Sequence, residues 1–193
     1  MEAVWFLFGA GTILLAIHIR RRFWSFSAQE PADYADGPSF DLKRRLNGPI
    51  LCEGVIFGPT GRVSSRFVGT FHARWTGDTG VMEETFHYDD GTMQDRAWHI
   101  RLGRNGRIEV SADDLDGTGS GAEHGPAVHL RYRLRLPEAQ GGHVLDVTDW
   151  MYLAPNGTIV NRSQFRKYGV RVAELVATMR GDPSGTVREK EVA

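Results

Sequence analysis

Two residues of opposite charge, Asp149 and Arg162, are the first candidates for a chemical role in this sequence. The order of strands and turns around them predicts that they face each other on neighbouring strands, with both side chains directed inward. An ion pair in an apolar interior is costly because both charges lose water, so it needs a full set of hydrogen bonds or a polar ligand group. Two interpretations follow: a buried pair that fixes the strand register, or an anchor for the carboxylate or headgroup of a ligand.

The strand predicted to lie beside Asp149 has the clearest periodicity in the chain. Apolar and cationic residues alternate strictly over 129–136, which is typical of a half-buried strand. If residues 137–142 close a hairpin, Leu130 faces Asp149. The predicted ligand-binding residues of the interior are Asp149, Arg162, Tyr132, Leu130 and Met151.

The position of Arg162 depends on the next hairpin. A turn at 155–157 that pairs Leu153 with Thr158 would close this hairpin. In that register Asp149 faces Arg162. A slip of one residue in either hairpin would move the side chains to the opposite face and remove the ion pair.

Several other motifs resemble metal, cofactor or catalytic sites but lack the context that such sites need. His72, His87 and His99 lie on three successive predicted strands, yet no two histidines have the spacing of metal ligands. Residues 117–122 fit the string G-x-G-x-x-A, but they lie between strands, where we expect a mobile loop. Ser120 has neither a nucleophile elbow nor an oxyanion donor set. The sequence therefore predicts no catalytic residue, no metal and no cofactor.

The composition excludes two further classes of function. The 193 residues carry 23 Lys and Arg against 24 Asp and Glu, so the net charge of −1 supplies no field for sequence-independent nucleic-acid binding. The single cysteine, Cys52, excludes an intramolecular disulfide and a cysteine-rich metal site. The length favours one folded domain with an appendage, and nothing in the sequence indicates the oligomeric state.

The N-terminus differs from the rest of the chain in its hydropathy. Residues 3–19 contain no Asp, Glu, Lys or Arg, and Arg20, Arg21 and Arg22 follow at once. This pattern predicts an uncleaved transmembrane helix over residues 1–24, since apolar runs of about 17 to 25 residues can span a bilayer. The arginine cluster predicts that the domain lies on the cytoplasmic side, with the periplasmic side as the alternative.

The remainder of the chain predicts an all-β fold. Residues 25–39 have two prolines and no period, which is typical of a linker. Over residues 40–181, short β-rich runs alternate with hairpin turns, which favours an antiparallel up-and-down barrel of about eight strands. The apolar spacing over Val170–Met179 predicts a C-terminal helix. Residues 182–193 are predicted to be a disordered tail.

Several short motifs occur in order along the predicted barrel. They are Phe40-Asp41-Leu42, Asn47-Gly48, Tyr88-Asp89-Asp90-Gly91, Asp149-Trp150-Met151-Tyr152-Leu153, Asn161-Arg162 and Lys167-Tyr168-Gly169. Over about residues 40–180 the chain resembles the bacterial family catalogued as domain of unknown function 3833. The resemblance implies a calycin-like, lipocalin-like β-barrel associated with a bacterial membrane, without an assigned activity.

These features together predict a non-enzymatic barrel, anchored in the bacterial inner membrane by one helix, that binds or presents a lipophilic small molecule near the bilayer. The alternative is an envelope scaffold whose barrel is filled with side chains and whose outer surface docks a membrane partner. The large aromatic residues that could fill the barrel are Trp75, Phe71, Trp98, Trp150 and Phe165. A lipid-modifying enzyme is a third alternative, for which no activated nucleophile or acid–base pair is visible.

Overall fold

Ten antiparallel strands form because short runs of β-branched and aromatic residues are separated by tight turns. The computed structural model describes residues 2–23 and 25–182. In chain order the strands are β1 (Gly48–Phe57), β2 (Val63–Thr76), β3 (Thr79–Tyr88), β4 (Met93–Leu102), β5 (Arg107–Ser111), β6 (Gly119–His124), β7 (Ala127–Arg135), β8 (Val144–Leu153), β9 (Ile159–Lys167) and β10 (Val170–Gly181). Each strand pairs with its neighbours in sequence, and β10 pairs with β1, so the sheet closes into a barrel.

One long helix precedes the barrel, and short helical segments connect and cover the strands. The helices are α1 (Glu2–Phe23) and α2 (Leu42–Arg45), with 3-10 turns at Phe26–Ala28, Pro31–Tyr34, Arg104–Gly106 and Glu138–Gln140. Phe40, Leu42 and Leu46 are buried among the interior side chains of the barrel. The indole Nε1 of Trp75, near the end of β2, donates a 2.6 Å hydrogen bond to the Leu46 carbonyl. The segment around α2 therefore covers one end of the barrel.

The β-barrel is present as predicted, but the predicted number of about eight strands is wrong. The sequence pattern missed β6, because glycine-rich segments are rarely strands. Here the glycine is required by close packing: a Cβ on Gly121 would lie 2.0 Å from the carbonyl oxygen of His129 on β7. Most of the segment predicted as a mobile loop, 117–122, is thus part of a strand in which the close approach of β7 requires glycine at position 121.

The predicted C-terminal helix is also wrong, since that segment is β10. Tyr168 and Gly169 both have positive φ angles, 51° and 76°, which is the geometry of a tight two-residue hairpin turn. This turn returns the chain beside β9. Strand β10 then fills the gap between β9 and β1, and the hydrogen bonds of both edges outweigh the helical spacing of its apolar residues.

The prediction of a transmembrane helix is wrong. Helix α1 spans Glu2–Phe23, yet no helix in the described parts of the chain is long and apolar enough to cross a membrane. The uncharged run, 3–19, lies at the short end of the range for a membrane span, and Gly9, Gly11 and His18 lower its hydropathy. The predicted single-pass location in the bacterial inner membrane fails with it.

The segment between α1 and the barrel packs on the outer face of the sheet. Phe26 is buried together with Ala127 and Trp150, and the rings of Tyr34 and Trp150 lie 5.2 Å apart. These contacts fall within residues 25–39, which the sequence suggested as a linker. The predicted tail at 182–193 lies, apart from Asp182, outside the described residues.

Candidate functional site

The first hairpin around the candidate site has the predicted register. Leu130 on β7 lies opposite Asp149 on β8, and Leu136 donates a backbone hydrogen bond to the His143 carbonyl. Successive strand residues alternate between faces, so Asp149 shares the interior with Leu130 and Met151. Both Leu130 and Met151 are buried in the main core.

The second hairpin does not have the predicted register. Leu153 pairs with Ile159 instead of Thr158. The reason is the turn, in which Ala154 donates a backbone hydrogen bond to the Thr158 carbonyl and Gly157 has a φ of 86°. This three-residue loop moves every partner on β9 by one position, so Ser163 faces Asp149.

Because of this shift, Arg162 points away from the interior. Its Nε atom lies 2.6 Å from the Glu174 carboxylate, and its guanidinium carbon lies 4.6 Å from the centre of the Phe26 ring. The predicted ion pair between Asp149 and Arg162 is therefore wrong. Of the five predicted site residues, the other four share the interior of the barrel: Asp149, Tyr132, Leu130 and Met151.

Neutral donors surround Asp149 in place of the arginine. Its carboxylate accepts hydrogen bonds from Ser163 Oγ at 2.8 Å, from Asn161 Nδ2 at 2.5 Å and from Tyr132 Oη at 3.4 Å. Burial raises the pKa of the Asp149 carboxyl, and these hydrogen bonds oppose the rise. The result is an acidic group that neutral donors hold in place, with no cationic side chain in contact with it among the described residues.

A second acid, Glu84, lies in the interior opposite Arg96 on β4. Glu84 is only 6% exposed, and its Oε2 atom is 3.8 Å from Arg96 Nε. The Arg96 guanidinium lies closer to another acid, since its Nη2 atom is 2.8 Å from the Asp114 carboxylate. Its carbon also lies 4.4 Å from the centre of the Trp98 ring. Burial raises the pKa of Glu84 to about 7, and the Arg96 charge offsets only part of the effect.

The two acids belong to one cluster, which we call the interior cluster and define as Glu84, Arg96, Asp114, Tyr132 and Asp149. The rings of Trp98 and Tyr132 meet edge to face at 5.1 Å and connect β4 with β7. Asp149 contributes to the raised pKa of Glu84, while Arg96 acts to lower the pKa of Asp149. Among the described side chains, the cluster combines three carboxyls with one guanidinium.

This arrangement suits binding more than covalent chemistry. Carboxyl groups accept hydrogen bonds from N–H donors or attract a cation, and a carboxyl with a pKa near neutrality can also donate. No serine or cysteine nucleophile with an adjacent base is assembled among the described residues of the cluster. The interior cluster is therefore a candidate anchor for a ligand with a nitrogen-bearing polar end.

The sequence analysis missed Glu84 and Arg96, although a signal was present. Met82, Phe86 and Tyr88 have the same parity as Glu84, and their side chains face inward with it. Arg96 likewise shares its parity with Trp98 on β4. Both are charged residues that lie two positions from an apolar residue facing inward, so the alternation used for β7 could have identified them.

A comparison with solved structures found a fold of the same kind. The S-type phycobiliprotein lyase CPES from Guillardia theta matches with a TM-score of 0.53 and 7% sequence identity, over 72% of this chain and 89% of that chain. At this level of identity the likeness shows the fold alone. The comparison with curated proteins found no match.

A comparison with protein families matched the model for proteins of unknown function DUF3833 to residues 21–181. The match covers most of the chain and confirms the resemblance that the short motifs indicated. By this match over the barrel and the segment before it, the chain belongs to the DUF3833 family.

Proposed function

We propose that this protein is a small-molecule-binding barrel that holds a lipophilic ligand in its interior, with a nitrogen-bearing end of the ligand at Asp149 and Glu84. The observation that carries the proposal is the excess of acid over base in the interior cluster. Two carboxyls, Asp149 and Glu84, face the interior, and the guanidinium nearest to both, Arg96, is itself bound to Asp114.

Such an arrangement opposes folding. A buried acid loses its hydration, and the raised pKa values of Glu84 and Asp149 express that cost. Replacement of a whole buried polar cluster by well-packed apolar residues is commonly neutral or stabilising, so stability alone does not require these acids. The acids therefore have a use that is separate from stability, and an N–H donor or cation on a ligand would offset their desolvation.

The surroundings of the cluster suit an apolar ligand body. Leu130, Val147 and Met151 flank Asp149 on the same face of the sheet, and Trp98 and Tyr132 provide ring surfaces. Binding sites for small molecules are typically apolar with a few convergent polar groups, which is the composition found here. A barrel of similar fold serves as a phycobiliprotein lyase in Guillardia theta, which fits an interior site for a small organic molecule.

The test is to purify the full chain gently from a bacterial host and to identify any co-purifying lipophilic compound by native mass spectrometry. We expect a stoichiometric compound with a basic or N–H-bearing group. The variant Asp149→Asn should lose it, while Asp146→Asn should keep it. Asp146 lies on the same strand but faces outward opposite Arg133, so it controls for the general effect of charge removal.

Thermal unfolding of both variants separates loss of binding from loss of folding. A folded Asp149→Asn protein that retains the compound would contradict the proposed anchor. A stable wild-type barrel that carries no compound and gains no stability from added lipophilic amines would contradict the proposed function.

The scaffold remains the second candidate because part of the interior is densely packed. The rings of Phe67 and Phe86 lie 5.3 Å apart, those of Phe71 and Phe86 5.1 Å apart, and Gly54 and Gly69 leave the space that these rings occupy. Trp150 does not contribute to such filling, since it lies on the outer face against Phe26. An empty, stable barrel in the experiment above would favour the scaffold.

A further inference from the structure

A surface cavity lies away from the interior cluster, on the outer face of β4 to β7. It has a volume of about 530 Å³. The polar and charged residues of its lining are Arg101, Arg107, Glu109, Ser120, His129 and Arg131. We call it the β6 groove, because small residues of β6 form its floor.

The strand register explains why this surface is concave. One outward row runs across the sheet from Glu109 on β5 through Ser120 to Arg131 on β7. The neighbouring row runs from Arg107 through Ala122 to His129. Small side chains at the middle of each row leave a depression, and the long side chains on β5 and β7 form its walls.

The groove carries an excess of positive charge. Arg107 and Arg131 have no acidic partner within 4 Å among the described residues. Arg101 reaches Glu109 only at 4.0 Å. Three guanidinium groups and one carboxylate therefore line the same cavity, which is complementary to an anion.

The state of His129 is a second, independent sign of a missing partner. The side chain is 93% buried by its neighbours, since only 7% of its surface is exposed, and its ring lies 4.4 Å from the ring of Trp150. Its Nε2 atom is buried without a hydrogen-bond partner among the described residues. Burial, together with the nearby Arg131 charge, lowers the pKa of His129 to about 4, so the imidazole is neutral at pH 7. His129 belongs to the lining of the groove, and a buried ring nitrogen without a partner is costly unless a ligand completes its hydrogen bond.

The geometry points to a second ligand site in the β6 groove, in which Arg107 and Arg131 bind the phosphate or carboxylate group of a small organic anion and His129 Nε2 supplies a further hydrogen bond. Guanidinium groups bind these planar or tetrahedral oxyanions through paired N–H donors. The site is independent of the interior cluster, because Ser120 and Arg131 lie on the face opposite to that of Leu130. It is also independent of the function proposed above.

The test uses the full chain labelled with ¹⁵N, with inorganic phosphate and glycerol 1-phosphate as the soluble probes. We expect both probes to shift the ring resonance of His129, which His129→Gln assigns by its disappearance. Arg107→Gln and Arg131→Gln should each weaken binding of glycerol 1-phosphate by roughly tenfold, the effect of one charge-assisted hydrogen bond. Arg74→Gln should leave binding unchanged, since Arg74 is an exposed arginine on β2 that pairs with Glu83.

A third probe distinguishes the sources of the oxyanion. Vesicles of phosphatidylcholine with one fifth phosphatidylglycerol present the same phosphate chemistry in a lipid headgroup. Binding of the soluble probes that depends on Arg131 would support a free organic anion, and binding of the vesicles alone with the same dependence would support a headgroup. The inference is overturned if no probe shifts His129, or if Arg74→Gln weakens binding as much as Arg131→Gln does.

Discussion

The interior of the barrel has two sides that use the same alternation of residues for different ends. On β1 to β3, Phe67, Phe71 and Phe86 pack edge to face, and glycines make room for the rings. Other inward positions, on β3, β4 and β8, carry Glu84, Arg96 and Asp149, and Asp149 accepts a hydrogen bond from Ser163 on β9. The first side stabilises the fold by burial of apolar surface, whereas the buried polar groups of the second side lower the free energy of unfolding. The contrast indicates that the aromatic side maintains the barrel and that the polar side is available for binding.

The largest effect is expected on the aromatic side. Phe67→Ala should lower the free energy of unfolding by about 3–5 kcal/mol, because it removes a buried ring and leaves a cavity. Urea unfolding followed by circular dichroism measures this change. A loss as small as that of an exposed substitution such as Val68→Ala would show that the aromatic side is not the main source of stability.

A smaller loss is expected where a glycine accommodates the same ring. A Cβ on Gly54 would lie 2.3 Å from Cζ of Phe67, so Gly54→Ala should cost about 1–3 kcal/mol through overpacking. The double variant Gly54→Ala, Phe67→Leu should recover part of that loss, because the leucine is shorter than the ring. Strictly additive losses in the double-mutant cycle would contradict direct contact.

On the polar side, Glu84→Gln should increase stability at alkaline pH. The pKa of Glu84 is about 7 in the native state against an ordinary value of 4.5, so the native state binds more protons between these values and its stability falls as the pH rises through them. We expect the variant to be more stable than the wild type by about 1–2 kcal/mol at pH 8 and to be equal to it near pH 4. Chemical unfolding at a series of pH values measures the difference.

The neighbouring residue provides the control for this prediction. Glu83 is 55% exposed and pairs with Arg74 on the outer face. Glu83→Gln should leave the pH dependence of stability nearly unchanged. If both variants behave alike, the effect is one of total charge and does not come from the interior cluster.

The smallest effect is expected from Arg162, which the sequence placed in the interior. Its partners Glu174 and Phe26 lie outside the barrel, and its side chain is 43% exposed. Arg162→Gln should therefore cost less than about 1 kcal/mol and should leave interior ligand binding unchanged. Loss of the co-purifying ligand in this variant would contradict this expectation and show that Arg162 takes part in ligand binding.

The outcome at each hairpin shows how far sequence patterns reach. The strict alternation over 129–136 predicted the inward face of β7 correctly, because one apolar face must be buried, and closure of the hairpin at 137–142 predicted its register. The register of β9 was not predictable from its weaker alternation. There the turn conformation at Gly157 decided the pairing, and a shift of one residue exchanged Arg162 for Ser163 beside Asp149.

Long-range contacts form the two strands that the sequence patterns did not predict, β6 and β10. In β6, glycines disfavour a strand in isolation, but the close approach of β7 requires them. A Cβ on Gly121 would lie 2.0 Å from the carbonyl oxygen of His129. In β10, helical spacing was overridden by pairing with β1 and β9. Glu84 and Arg96 are an intermediate case. The alternation within each strand shows that they face inward, but it does not show that they are opposite each other.

By itself, the sequence determined the antiparallel β-barrel, the inward placement of Asp149 and the family, because alternation, turn residues and ordered motifs are local properties of the chain. Only the tertiary structure decided the strand number, the partners of Asp149, the meeting of Glu84 with Arg96 and the groove over β6. These features depend on which strands become neighbours and in which register. That choice is made by closure of the whole sheet, which no short segment encodes.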